Sequence, residues 1–165
     1  MKYLFRKNNN QLTIFANMTS TVKIRNKKAS FEYFLLERYI AGIVLTGTEI
    51  KSIRESKANI IDAYCLFINN ELFVRNMNIS EYTLGTCNNH EPKRDRKLLL
   101  KKRELKKLIN AMKSQGITLV PTLLFMNDKG LAKLEIALAK GKKLYDKRET
   151  LKGKDIQREI ERERK

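Results

Sequence analysis

The sequence predicts a mainly β fold: a small closed or nearly closed barrel of strands, interrupted by one or two helices and followed by a basic tail. Three observations predict it. Runs rich in β-branched and aromatic residues recur from Phe31 to Leu138 and are separated by Gly and Asn turn signals. Only Leu100 to Gln115 carries an unmistakable helical period. From Lys140 onward, 17 of 26 residues are charged, which leaves too little apolar surface to build a core. Closure is expected because it removes exposed strand edges. The 165 residues suit one domain, so the division reads as an extension at 1–20, a barrel at 21–140 and a tail at 141–165.

Met1 to Ser20 shows no helical or strand period and is expected to be disordered. Asn8, Asn9, Asn10 and Gln11 interrupt what would be the apolar stretch of a signal peptide. Met18, just before the better-organised sequence, is an alternative start. Phe31 to Leu45 reads as one helix or two strands. Tyr33, Phe34, Tyr39, Ile40, Ile43 and Val44 favour strand, with a bulge or bend at Gly42. Thr48 is placed to cap a short helix with Ile50 and Ile53 inward. Asn59 to Met77 reads as a hairpin turning at Asn69-Asn70, and Thr83 to Arg96 as a loop. Leu105, Leu108, Ile109 and Met112 form one apolar stripe of a helix that Gly116 stops. Ile117 to Met126 is a strand, 127–130 a turn, and Leu134, Ile136 and Leu138 alternate with Lys133, Glu135 and Ala137 as a half-buried strand.

With 35 basic and 18 acidic side chains, the net charge is +17. It is uneven. Residues 1–90 carry 12 basic and 7 acidic groups, and residues 91–165 carry 23 and 11. Nucleic acid is the common partner of such a surface, and phosphates draw affinity from such regions. No apolar run approaches the roughly 18 residues of a membrane span. Two cysteines exclude a disulfide-dense scaffold, and one histidine makes a structural zinc site at Cys87 and His90 a weak reading. There is no P-loop. Glu49 and Asp62 are a thin basis for a nuclease metal site, and both read better as caps or partners of nearby Lys. No catalytic residue, cofactor or metal is assigned.

Three basic clusters remain: Asn26-Lys27-Lys28, Lys93-Arg94-Asp95-Arg96-Lys97, and Lys140-Gly141-Lys142-Lys143 with Tyr145 beyond. Arg94 and Arg96 alternate, so an extended chain aims both guanidiniums one way, suiting phosphate forks. Gly141 lets backbone approach a phosphate. Tyr145 offers a ring for an unpaired base. A solvated charge run is the bland reading of each cluster alone.

The stretches NKKASFEYF, GTEIKSIRESKANI, RDRKLLLKKREL and ALAKGKKLYDKRE resemble the SsrA-binding protein family, also called small protein B. The likeness runs from about Ile24 to the C-terminus. It implies an oligonucleotide-binding-like closed β-barrel with two or three flanking helices and a C-terminal tail disordered in solution. It also implies binding of the transfer-RNA-like domain of transfer-messenger RNA and its delivery to ribosomes stalled without an A-site codon. Alanyl-tRNA synthetase and elongation factor Tu act on the same RNA. The resemblance assigns Asn26, Lys27, Tyr33, Glu49, Lys51, Arg54, Lys57, Asn59, Arg96, Lys97 and Leu99 to the RNA-binding core. Of these, Glu49 is read as orienting a neighbouring Lys or Arg. Lys140, Gly141, Lys142 and Lys143 join barrel to tail. Tyr145, Asp146, Lys147 and Arg148 fall in the tail motif placed near the decoding centre, and the tail is implied to become helical in the messenger channel. Location in the cytoplasm follows. Alternatives from the residues alone are a general structured-RNA-binding or ribosome-associated barrel, a metal-dependent nuclease, and a tail lying on a membrane surface.

Overall fold

The computed structural model describes residues 22–85 and 89–163. The expectations for residues 1–20 and for Cys87 lie outside the described residues. The elements run β1 (Lys23–Arg25), α1 (Lys27–Glu32), β2 (Tyr33–Ile43), α2 (Gly47–Arg54), β3 (Ala58–Asn59), β4 (Tyr64–Ile68), β5 (Glu71–Arg75), β6 (Asn78–Ile79), β7 (Arg96–Leu99), α3 (Lys102–Met112), β8 (Ile117–Met126), β9 (Ala132–Gly141) and α4 (Leu144–Glu163). The protein is mainly β with a few helices. Seven antiparallel strands are ordered β1–β8–β4–β5–β7–β2–β9, and β9 also pairs with β8 along most of its length. β3 and β6 form a separate pair beneath α2.

Local chemistry explains most elements. Asn69 and Asn70 both take positive φ, 48° and 63°, which the tight β4–β5 turn requires and Asn tolerates. α3 buries Leu108 completely and half-buries Leu105, Ile109 and Met112, so the apolar stripe faces the core. Gly116 (φ 83°) reverses the chain after it. In the β8–β9 turn, Leu131 N–H donates to Asn127 Oδ1 at 2.8 Å.

The core is formed by Ile53, Ile60, Leu72, Met77, Ile79, Leu119, Leu124, Leu134 and Ile136, none of them exposed. Burying each such side chain contributes about 1.5–3 kcal/mol.

Four expectations are corrected. The 31–45 segment is one strand after the last turn of α1, and its irregularity lies between Leu35 and Arg38 rather than at Gly42. α1 itself went unread, because six residues are too few to display a period. The α2 cap is Thr46, two residues before Thr48. Ala137, expected to face outward to solvent, is fully buried, as is Ala139. At Ala139 the cause is visible: α1 covers the outer face there, packing Ala29 against Val120 and Ala139, small residues that allow close approach.

Residues from Leu144 to Glu163 are helical in the structure, whereas the composition predicts disorder in isolation. Asp146 Oδ2 accepts from Lys143 N–H at 2.9 Å and so fastens the first turn. Leu151, Ile156 and Ile160 stay 43–57% exposed, so the helix gains little from packing.

Candidate nucleic-acid interface

The predicted residues fall into two regions joined by β2. The first surrounds α1. Asn26 is buried, and its side chain is fully committed. Its Nδ2 donates to the carbonyls of Ile60 (3.0 Å) and Pro121 (3.1 Å), and its Oδ1 accepts from Ala29 N–H (3.0 Å) as the N-cap of α1. It ties three chain segments together, with its amide nitrogen and its amide oxygen both engaged inside the protein. Lys27 projects to solvent. Tyr33 is half-buried against Ala29 and Val120.

Tyr33 and Phe34 pair with Gly141 and Lys140, so the root of the tail lies beside α1. Lys140 and Gly141 are exposed. The Lys142 ammonium sits 5.1 Å from the Phe34 ring centre and donates to Ser30 O at 3.1 Å, while its backbone N–H donates to Glu32 O. Lys142 is therefore anchored to α1. Lys143, Tyr145 and Arg148 are exposed and Lys147 half-buried at the start of α4. Asp146 takes part in capping that helix.

The second region surrounds α2 and β7. Glu49 is fully buried. Its carboxylate accepts from Thr46 N–H (2.7 Å), Arg94 Nε (2.7 Å) and Nη2 (2.5 Å), and Arg96 Nε (2.9 Å). Burial opposes its ionisation. The Arg94 hydrogen bond, the Thr46 N–H and the charges of both arginines outweigh that, holding it below the usual carboxylate range. Glu49 thus holds both arginines in place.

Arg96 lies inside the same network. It is 0% exposed, and besides Glu49 it donates to Met77 O (2.6 Å), Arg94 O (3.0 Å) and Pro92 O (3.0 Å). Four of its five N–H donors are used inside the protein. Arg94 and Arg96 do aim the same way, but toward Glu49 rather than a phosphate. Asp62, the other candidate metal ligand, pairs with Lys28 at 3.0 Å. Among the described residues no three His, Cys, Asp or Glu groups are placed to hold a metal.

Around this buried network the outer surface is basic. Lys51, Arg54 and Lys57 are exposed on and just after α2. Lys51 lies 5.2 Å from the Tyr82 ring centre and Lys57 pairs with Glu55 at 2.7 Å. Among the described residues Lys27, Arg54 and Lys140 make no ion pair. Asn59 accepts Ile61 N–H at 2.9 Å, an Asx turn that leaves its amide group exposed. Lys97 pairs with Glu71. Leu99 faces outward opposite Gly42, 52% exposed, with Ile40 (60%) and Val44 (44%) on the same face. Gly42 leaves Leu99 uncovered, since even a Cβ there would lie 3.4 Å from Leu99 Cβ.

Sequence reasoning missed two features. Ile40 and Val44 join Leu99 in an apolar patch, and Glu32 and Tyr64 come beside Tyr33 and Asp62. The strand alternation signals the first; nothing local signals the second.

The chain is 60% identical over 141 residues to the SsrA-binding protein of Phocaeicola vulgatus, covering 86% of this chain and 94% of that one. It is 61% identical over 145 residues to that of Cytophaga hutchinsonii (88% and 95%) and 53% over 135 residues to that of Thermosipho melanesiensis (82% and 92%). A chain from the solved structure "tmRNA-SmpB: a journey to the center of the bacterial ribosome" superposes with a TM-score of 0.64 at 41% identity, over 74% of this chain and 86% of its own. The sequence model of the SmpB protein family matches residues 23–165, and the chain therefore belongs to that family.

Proposed function

We propose that this protein binds the transfer-RNA-like domain of transfer-messenger RNA and carries it to ribosomes stalled without an A-site codon, so that the nascent peptide is tagged and the ribosome released. The supporting observation is the likeness, at 41% identity, to a chain described as tmRNA-SmpB, together with 53–61% identity to SsrA-binding proteins over most of the chain. The basic surface of Lys51, Arg54 and Lys57 supplies sequence-independent attraction for phosphates. Leu99 and its apolar neighbours pack on ribose or base.

The strand pairing supports an oligonucleotide-binding-like closed barrel, because the order β8–β4–β5–β7–β2–β9 returns to β8. In this reading residues 21–140 are the RNA-binding domain and 141–165 the tail. The tail is disordered in the free protein and becomes the helix Leu144–Glu163 along the messenger channel, with Tyr145, Asp146, Lys147 and Arg148 near the decoding centre. Weak packing of that helix supports coupling of its folding to binding. Alanyl-tRNA synthetase and elongation factor Tu act on the same RNA, and the site of action is the cytoplasm.

The test is to purify the native protein at moderate salt and sequence the RNA that accompanies it. One dominant transfer-messenger RNA over excess transfer RNA supports the proposal. A mixture tracking RNA abundance points to a general structured-RNA binder. Truncation after Lys143 is expected to preserve RNA affinity and abolish tagging.

A further inference from the structure

A groove of about 330 Å³ opens between α1, the 61–64 segment and β8. Its wall includes Lys28, Glu32, Tyr33, Asp62 and Tyr64. On a chain of net charge +17, two carboxylates in one groove need an account. Lys28 satisfies one Asp62 oxygen, at 3.0 Å. The side-chain oxygens of Glu32 and the second oxygen of Asp62 carry no hydrogen bond among the described residues. The Lys28 ammonium is held above its usual range, chiefly by the Asp62 hydrogen bond, with Glu32 and Tyr33 adding to it, so these groups share one field. Tyr64 is 44% exposed, lies opposite Arg75 in the β4–β5 hairpin and lines the groove. The groove adjoins the tail root, because Glu32 O accepts from Lys142 N–H.

We propose that this groove is a binding site for a single unpaired guanine of the bound RNA. Aromatic rings stack on splayed bases of any kind, so Tyr33 and Tyr64 supply affinity without choice. Choice comes from the edge. Guanine presents the O6 acceptor beside the N1–H and N2–H donors. That pattern is complementary to an ammonium beside a carboxylate, Lys28 for O6 and Glu32 or Asp62 for the two donors. Adenine and cytosine turn a ring-nitrogen acceptor toward the carboxylate, and uracil offers one donor flanked by carbonyls. The volume lies at the lower end of small-ligand sites, suited to one base.

This inference rests on the RNA-binding reading above and specifies one of its subsites. The probes are the pentaribonucleotides UUGUU, UUAUU and UUIUU (inosine lacks the N2 amino group), titrated against the full-length protein at moderate salt. UUGUU is expected to bind about tenfold tighter than UUAUU, the scale of one two-hydrogen-bond contact, with UUIUU between. In Glu32→Gln/Asp62→Asn the preference falls below about twofold while total affinity is kept or raised, since two negative charges are removed. Both side chains are solvent-accessible, and an unchanged melting temperature confirms folding. Equal binding of all three oligonucleotides by the wild type, or a preference unchanged in the double variant, overturns the guanine site. If transfer-messenger RNA is still retained in that case, the RNA-binding reading survives; if it is not, that reading falls as well. Tyr64→Leu, assayed separately on transfer-messenger RNA and on small ribosomal subunits, identifies the RNA that supplies the base by which affinity falls. Loss on neither overturns the proposal.

Discussion

Replacing Glu49 with alanine should unfold this protein more readily than it alters any RNA contact. The carboxylate is fully buried, and its removal strands Arg96, which is also 0% exposed. Thr46 N–H and two guanidinium nitrogens of Arg94 lose their acceptor as well. Breaking a buried ion pair by deleting one partner costs about 3–5 kcal/mol. That is a large share of the roughly 5–15 kcal/mol that stabilises a domain. For a chain of this size it lowers the midpoint of thermal unfolding by about 6–20 °C. Circular dichroism melting of the wild type, Glu49→Ala, Arg96→Met and Glu49→Ala/Arg96→Met reads it. The double variant should recover much of the loss, because replacing both charges by apolar groups is often near neutral. RNA affinity at 10 °C, where each variant is still folded, should track stability rather than the charge at position 49. The reasoning is refuted if Glu49→Ala melts within about 1 °C of the wild type, or if the double variant is no better than the sum of the singles.

Other expectations follow from the same structure. Acid should destabilise the fold through the carboxylates held low in the native state. Glu49 is held down by the arginine contacts that outweigh its burial, and Asp95 first by its hydrogen bond to Arg75. Their stabilisation is complete above the ordinary carboxylate pKa and is lost as pH falls through the lower native values, so melting temperature should drop below about pH 4.5. Ser52→Ala should raise stability by about 0.5–1 kcal/mol in urea unfolding, because the Ser52 hydroxyl, in the middle of α2, is buried without a partner among the described residues. Cys65 is 3% exposed and burial pushes its thiol up to about 12. In a Cys87→Ser background it should react with a maleimide only after denaturant is added. Lys51→Ala and Arg54→Ala should each weaken RNA binding and reduce the slope of log affinity against log salt by about one, measured between 50 and 300 mM salt.

The elements that the sequence determined by itself are those whose signal is local. The α3 stripe repeats at helical spacing, Asn69-Asn70 supplies two positive-φ residues in a row, and β8 was bounded correctly from Ile117 to Met126. The basic surface was legible too, since charge that outnumbers its partners must face solvent or a polyanion. The tertiary structure decided which polar residues remain available. Asn26 and Arg96 stand in basic, RNA-like stretches, yet both are consumed by partners up to 95 and 47 residues away. Conversely Glu32, Tyr33, Asp62 and Tyr64 share one groove only because α1 and β4 are brought against β8. Helical and strand periods are written in neighbouring residues, where torsion and alternation act. Burial and hydrogen-bond satisfaction are set by the chain segments that fold over a residue, and one residue's neighbourhood in the sequence carries no record of them.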